Sequence, residues 1–207
     1  VIVLLIVAVN GSPRKRGNTA RLLEVGLSEA RARNCQTALI HTGEILRDLS
    51  IPFCYQCSSP CQGKCSQGNK LGDALDLLRA ADGLILGSPV YFGTISGQIK
   101  AFWDKTRVLR AEKALLNVPG VAVAVGSSRF GGQENTITAL HQMMLVHGMT
   151  VLGDGFWEDD CGHHGACAQK PAEEDLLGLQ RAKIQVKRLI QVARATSLDV
   201  ATQVVQP

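Results

Sequence analysis

The sequence predicts an α/β protein in which helices cover both faces of a doubly wound parallel sheet. Three observations carry that prediction. Val1–Val9, Gly83–Ser88 and Pro119–Gly126 are near-continuous apolar runs bounded by turn chemistry, the pattern of strands buried on both faces. Segments with helical spacing of Leu and Ala alternate with the strand segments five times along the chain. The loops after those three strands are chemically unusual, and in a doubly wound sheet such loops meet outside the strand carboxyl ends.

Taken in order, Val1–Val9 is the first strand, and Asn10–Thr19 then turns polar, basic and glycine-punctuated. Asn18 or Thr19 is the expected N-cap of a helix from about Thr19 to Ala32, whose Leu22, Leu23, Leu27 and Ala30 share a face. Gln36–Thr42 reads as the second strand. Gly43–Pro52, with Leu46, Leu49 and Ile51, fits a short helix or a loop. Leu71, Leu75 and Leu78 predict an amphipathic helix over Lys70–Ala81. After the Gly83–Ser88 strand come a helix over Ile99–Val108, the Pro119–Gly126 strand and a helix over Thr136–His147. A short strand over Thr150–Gly155 and a long helix over Ala172–Thr196 complete the pattern. Ser197–Pro207 shows none and is expected to be a mobile tail.

At 207 residues and 45% apolar, the chain can bury one good core, so one domain over 1–207 is expected, with a cysteine-rich insertion at 53–69. A net charge of +4 without any block of like charges argues against nucleic acid as a partner. No apolar run is long enough to span a bilayer and no basic segment precedes Val1–Val9. Neither a membrane partner nor a signal peptide is expected, and the expected location is cytoplasmic. The absence of an initiator Met suggests a trimmed start. Seven cysteines, an odd number, argue against a disulfide framework.

The first loop, Gly11–Thr19, brings hydroxyls, an amide and three cations between a strand and a helix N-terminus, where unpaired N–H groups and the helix dipole favour an anion. Asn18 stands where a nucleoside-triphosphate loop needs lysine, and no G-x-G-x-x-G follows the strand. A terminal phosphomonoester is the better fit. Gly11-Ser12-Pro13-Arg14-Lys15-Arg16-Gly17-Asn18-Thr19 resembles the phosphate loop of the flavodoxin-like, NADPH-dependent FMN reductases. That resemblance implies a flavodoxin-like five-stranded parallel sheet. It also implies FMN as cofactor, with Ser12, Arg14, Lys15, Gly17, Asn18 and Thr19 around the phosphate.

The second loop, Ser88-Pro89-Val90-Tyr91-Phe92-Gly93, places two aromatics past a strand end, where packing over the sheet edge or flanking of a planar ring would both suit them. With its extension through Ser96, Gln98, Lys100, Phe102 and Asp104 it is similar to the family's flavin loop and interface helix. Pro89, Val90, Tyr91, Phe92 and Gly93 are then implied flavin contacts. In the third loop, paired glycines allow close backbone approach to a flat ligand or a plain flexible turn. Ser127 and Gly131-Gly132-Gln133-Glu134 resemble the family's third flavin loop. The resemblance runs from about Val3 to Ala195.

Cys54, Cys57, Cys61 and Cys65 stand on one compact stretch with gaps of two, three and three residues, and Pro60 and Gly63 supply tight reversals. Four thiolates from one loop suit a [4Fe–4S] cluster; structural zinc, disulfides and reactive thiols are the competing readings. The location resembles that of the motif in iron–sulfur flavoproteins, a subset of the family, although their usual gaps are two, two and a longer one. Cys161-Gly162-His163-His164-Gly165-Ala166-Cys167 is expected to be a loop near a flavin or a subunit contact. Cys35 has no assigned role, and His41, His141 and His147 are expected to be structural or exposed. The resemblance implies an oxidoreductase with no protein acid or base in its core step. Electrons would pass between ferredoxin or NAD(P)H, FMN and the cluster, in a homodimer or homotetramer. A reductase without a cluster and a non-enzymatic redox carrier or sensor are the alternatives.

Overall fold

The computed structural model describes the backbone of residues 3–203 and side chains to residue 196. Strand β1 (Leu5–Asn10) leads through the first loop to helix α1 (Asn18–Ala32), then β2 (Gln36–His41) and α2 (Thr42–Arg47). The cysteine stretch follows, closing in a 3-10 turn at Lys64–Ser66, before α3 (Lys70–Arg79) and β3 (Gly83–Pro89). Next come α4 (Gly97–Asp104), α5 (Arg107–Glu112), β4 (Pro119–Gly126) and α6 (Gln133–Leu145). Two short strands, β5 (Thr150–Val151) and β6 (Ala166–Gln169), precede the terminal helix α7 (Leu176–Gln203).

The sheet is parallel throughout, in the order β2-β1-β3-β4-β5, and β6 also pairs with β4. β5 lies beside Pro119 and Gly120, and β6 beside Val123–Gly126. The fifth strand position is therefore filled by two segments with residues 152–165 looped out between them. This corrects two expectations: the Thr150–Gly155 strand stops at Val151, and Cys167 lies in a strand rather than a loop.

Period-two alternation splits the sheet between two cores. Ile6, Ala8, Ile85, Val121 and Val123 face Leu22, Leu23 and Leu27 of α1 and Ala182, Val186 and Leu189 of α7. Val7, Val9, Leu84, Leu86, Ala122 and Ala124 face Leu71, Leu75 and Leu78 of α3, Ile99 and Phe102 of α4, and Ile137 and Leu140 of α6. Every one of these residues is buried. Among the described residues no helix is long and apolar enough to cross a membrane.

Other boundaries also differ from expectation, among them the α6 helix, which runs over Gln133–Leu145 instead of Thr136–His147. The open stretch after β2 begins as α2, where Ile45 and Leu46 are buried. The terminal helix starts at Leu176 and continues through residues 197–203, expected to be tail; residues 204–207 lie outside the described part. The helix expected over Ile99–Val108 breaks at Lys105–Thr106. There the Thr106 hydroxyl donates to the Trp103 carbonyl at 2.7 Å and stands 2.8 Å from His147 Nε2. Because the single hydroxyl proton goes to Trp103, His147 donates through Nε2–H, leaving a buried Nδ1 with no partner.

Burial pushes His147 down to about 4, with the Arg110 charge acting in the same direction. The folded protein resists protonation at a ring that an unfolded chain protonates near 6.5. Stability from this residue is therefore full above pH 6.5 and falls away between about pH 6.5 and 4. The expected loss by pH 4 is about 2–3 kcal/mol. Denaturant unfolding across that range should show this slope, and His147→Gln should flatten it.

Candidate functional site

The three loops converge because their strands are neighbours, β1 beside β3 and β3 beside β4. At the end of β1 the side-chain oxygen of buried Asn10 accepts from Ser12 N at 3.0 Å, and its amide nitrogen lies 3.1 Å from His41 Nδ1. Ser12 Oγ accepts from Arg14 N at 3.1 Å, and Gly17 N donates to Arg14 O at 3.2 Å. The loop thus closes on its own polar groups.

The N-cap is Gly17, not Asn18 or Thr19 as expected, and no side chain caps it. Asn18 sends its oxygen elsewhere, accepting from Ala172 N at 3.2 Å. The first turn of α1 is consequently left open to an external acceptor, the arrangement that favours anions. In front of it lies a cavity of about 150 Å3. Ser12, Arg14, Gly17, Asn18 and Thr19 line it from the first loop, and Pro89, Val90 and Tyr91 from the second. Val125, Gly126 and Ser127 line it from the end of β4, and Lys170 from beyond β6.

The remaining candidates of these loops stand elsewhere. Lys15 pairs with Glu44 of α2 at 3.1 Å. Phe92 and Gly93 form the tip of a tight turn, with φ of 49° and 80° between the bridged Tyr91 and Thr94, and the Phe92 ring is fully exposed. Gly132 has φ of 97°, and a Cβ there would sit 3.0 Å from Gly93 Cα, so the second and third loops touch. Gln133 is buried and braces its own loop: Nε2 donates to Ser128 O at 2.6 Å and Oε1 accepts from Gly131 N at 2.9 Å. Glu134 opens onto a separate cleft of about 130 Å3 with His163, His164, Cys167 and Arg181. Burial pushes the Cys167 thiol up to about 12, which keeps it an inert thiol.

Lys170 escaped the sequence reading because β6 was taken as loop. The signal that would have found it is a basic residue directly after a short apolar strand. Its backbone N donates to Gly126 O at 2.9 Å, which fixes it at the same edge.

The four clustered cysteines lie on the stretch between α2 and α3. Cys57 is exposed, and Cys54, Cys61 and Cys65 are partly buried. The break between α4 and α5 forms the floor beneath them. Arg107 donates towards Cys54 Sγ at 3.9 Å, and Val108 packs where Gly63 turns with φ of 65°. Burial raises the Cys65 thiol; Lys105 acts against that rise, and Cys61, Cys57 and Cys54 add to it. The other three thiols are thus within electrostatic reach of Cys65. Among the described residues, no group of three or more His, Cys, Asp or Glu side chains is arranged to hold a metal ion. The donor types are those an iron–sulfur core takes.

The family model for NADPH-dependent FMN reductase matches residues 4–164. The chain belongs to that family. It is an oxidoreductase with a flavodoxin-like fold. Among its curated relatives, an iron-sulfur flavoprotein from Methanocaldococcus jannaschii is 37% identical over 195 residues, spanning 91% of this chain and 97% of that protein. An iron-sulfur flavoprotein from Methanosarcina thermophila is 35% identical over 190 residues, spanning 90% of this chain and 94% of the relative. The crystal structure of the apo form of an NADH:FMN oxidoreductase superposes with a TM-score of 0.66 at 23% identity, covering 90% and 88% of the two chains, which supports the fold.

The loop edge tolerates little added bulk at Gly11, where a Cβ would sit 2.6 Å from Ile99 Cβ and 2.9 Å from Gly87 O. Gly11→Ala is expected to destabilise the protein by about 1–3 kcal/mol, read as a lower denaturant midpoint.

Proposed function

We propose that the chain is an FMN-binding iron–sulfur flavoprotein that moves electrons between a reduced donor, FMN at the three-loop edge and a [4Fe–4S] cluster on Cys54, Cys57, Cys61 and Cys65. The observation that carries this reading is the uncapped N-terminus of α1 facing a cavity that also gathers Ser12, Arg14, Thr19 and Lys170. Such a site offers N–H donors, hydroxyls and two cations to one terminal phosphate. Pro89, Val90 and Tyr91 on one side and Gly126 and Ser127 on the other border the same cavity and would flank the flavin ring. FMN, when bound, accepts a hydride or single electrons and so joins a two-electron donor to a one-electron centre.

The names of the relatives and the four-thiol donor set support the cluster. The family's description supports NADPH as a donor, and ferredoxin would serve as a one-electron donor. A nicotinamide needs no dinucleotide fingerprint if it stacks directly on an exposed flavin. For assembly we propose a homodimer or homotetramer. A groove of about 390 Å3 lined by Trp103, Met143 and Val146 between α4 and α6, with exposed Leu145 alongside, supports that face as the contact.

Arg14→Ala with Lys170→Ala should weaken FMN binding at least tenfold, about 1.4 kcal/mol, while riboflavin affinity changes little. Equal weakening of both ligands would contradict phosphate binding there. In anaerobically purified protein, iron and acid-labile sulfide should accompany FMN, and Cys57→Ala should remove both while FMN stays. Flavin with rapid NADPH turnover and no iron in the native protein would instead identify a reductase without a cluster.

A further inference from the structure

We propose that His41 is a positioning residue for the phosphate loop, acting through Asn10; the inference rests on the phosphate-binding reading above. β1 and β2 run parallel, and Asn10 is the register partner of His41, so the last residues of the two strands present their side chains on one face. Asn10 is fully buried, and its amide carries both a donor and an acceptor that need partners there. Ser12 N can only donate, so the Asn10 atom 3.0 Å from it is the side-chain oxygen. That turns the amide nitrogen, a donor, towards His41 Nδ1 at 3.1 Å. The ring therefore accepts at Nδ1 and carries its proton on Nε2. Burial lowers the His41 pKa; Glu44 acts against that fall and Lys15 adds to it, and the outcome favours the neutral ring that can accept.

The bond matters because it selects which way round the Asn10 amide sits. In the reversed orientation the amide nitrogen would meet Ser12 N, donor against donor, and the start of the loop would be released. Ser12 Oγ accepts from Arg14 N at 3.1 Å, and Ser12 and Arg14 both line the cavity in front of α1. His41, Asn10, Ser12 and Arg14 are thus one chain of contacts from the end of β2 to the phosphate site. The surrounding backbone is held separately: Thr42 Oγ1 donates to Asn10 O at 3.0 Å, and a Cβ on Gly43 would sit 3.2 Å from Pro13 Cα. Those contacts do not depend on the amide orientation, which Ser12 N and His41 Nδ1 select together.

The test uses the full chain stripped of flavin and replacements of matched shape. His41→Asn puts an acceptor oxygen where Nδ1 stands, and His41→Leu puts a methyl there. His41→Ala, which removes the acceptor without adding bulk, is measured beside them. Affinities for FMN and riboflavin are compared at about pH 8, where the ring is neutral and the phosphate fully ionised. The readout is the preference for FMN over riboflavin, because a general loss of stability weakens both ligands alike. His41→Leu and His41→Ala are expected to lower that preference about tenfold, and His41→Asn to keep it within about threefold of the native value. Nitrogen-15 spectra of the native protein should show the His41 proton on Nε2. An unchanged preference in the acceptor-free variants, an equal loss in His41→Asn, a proton on Nδ1, or failure of both acceptor-free variants to fold would overturn the inference. Native protein with no preference for FMN over riboflavin would overturn the phosphate reading itself, and this inference with it.

Discussion

The arrangement depends on a close backbone approach at the switch in strand order. Gly11 N donates to Gly87 O at 2.7 Å, joining the first loop to β3, and Ser96 Oγ donates to Gly11 O at 2.5 Å. Ser88 Oγ accepts from Ser96 N at 2.9 Å, closing the circuit. Gly11 leaves no room for a side chain against Ile99, so α4 begins hard against the loop edge. Three buried polar contacts, each shielded from water, therefore set where the phosphate loop, the second loop and α4 stand relative to one another.

The two candidate sites share that helix. α4 is capped at its start by Ser96, whose Oγ accepts from Ile99 N at 3.3 Å, and it ends at the break holding Lys105 and Thr106. Eight residues rise about 12 Å, so one short rigid element reaches from the loop edge to the floor of the cysteine stretch. Phe102 and Trp103 anchor it against the core, with Trp103 Nε1 donating to Met143 O at 3.0 Å. The break carries Lys105, whose charge acts on the Cys65 thiol, and Arg107, which donates towards Cys54 Sγ at 3.9 Å. An uninterrupted helix would turn those residues to successive faces.

The apolar strands were legible because burial on both faces leaves a continuous signature, as in Pro119–Gly126. The helices with a clear stripe were legible as well; Leu71, Leu75 and Leu78 of α3 are the plainest case. Interruptions were not. The break after Asp104 depends on Thr106 meeting His147, forty-one positions away, and no local pattern reports such a contact. The split fifth strand was hidden because β6 is only four residues long and half of it is Ala. At the loop edge, residue types revealed the anion chemistry, but not which members face it. Lys15 is drawn off by Glu44, and Lys170 arrives from 155 residues further along.

The central claim is that one sheet edge and one cysteine loop of the same chain serve as neighbouring redox sites joined by α4. Diffraction from anaerobically grown crystals, collected across the iron absorption edge, tests it most directly. The account predicts an iron peak enclosed by the sulfurs of Cys54, Cys57, Cys61 and Cys65, with flavin density against Tyr91 and its phosphate at the start of α1. Flavin density away from that helix end, or no iron among the four sulfurs, would contradict it.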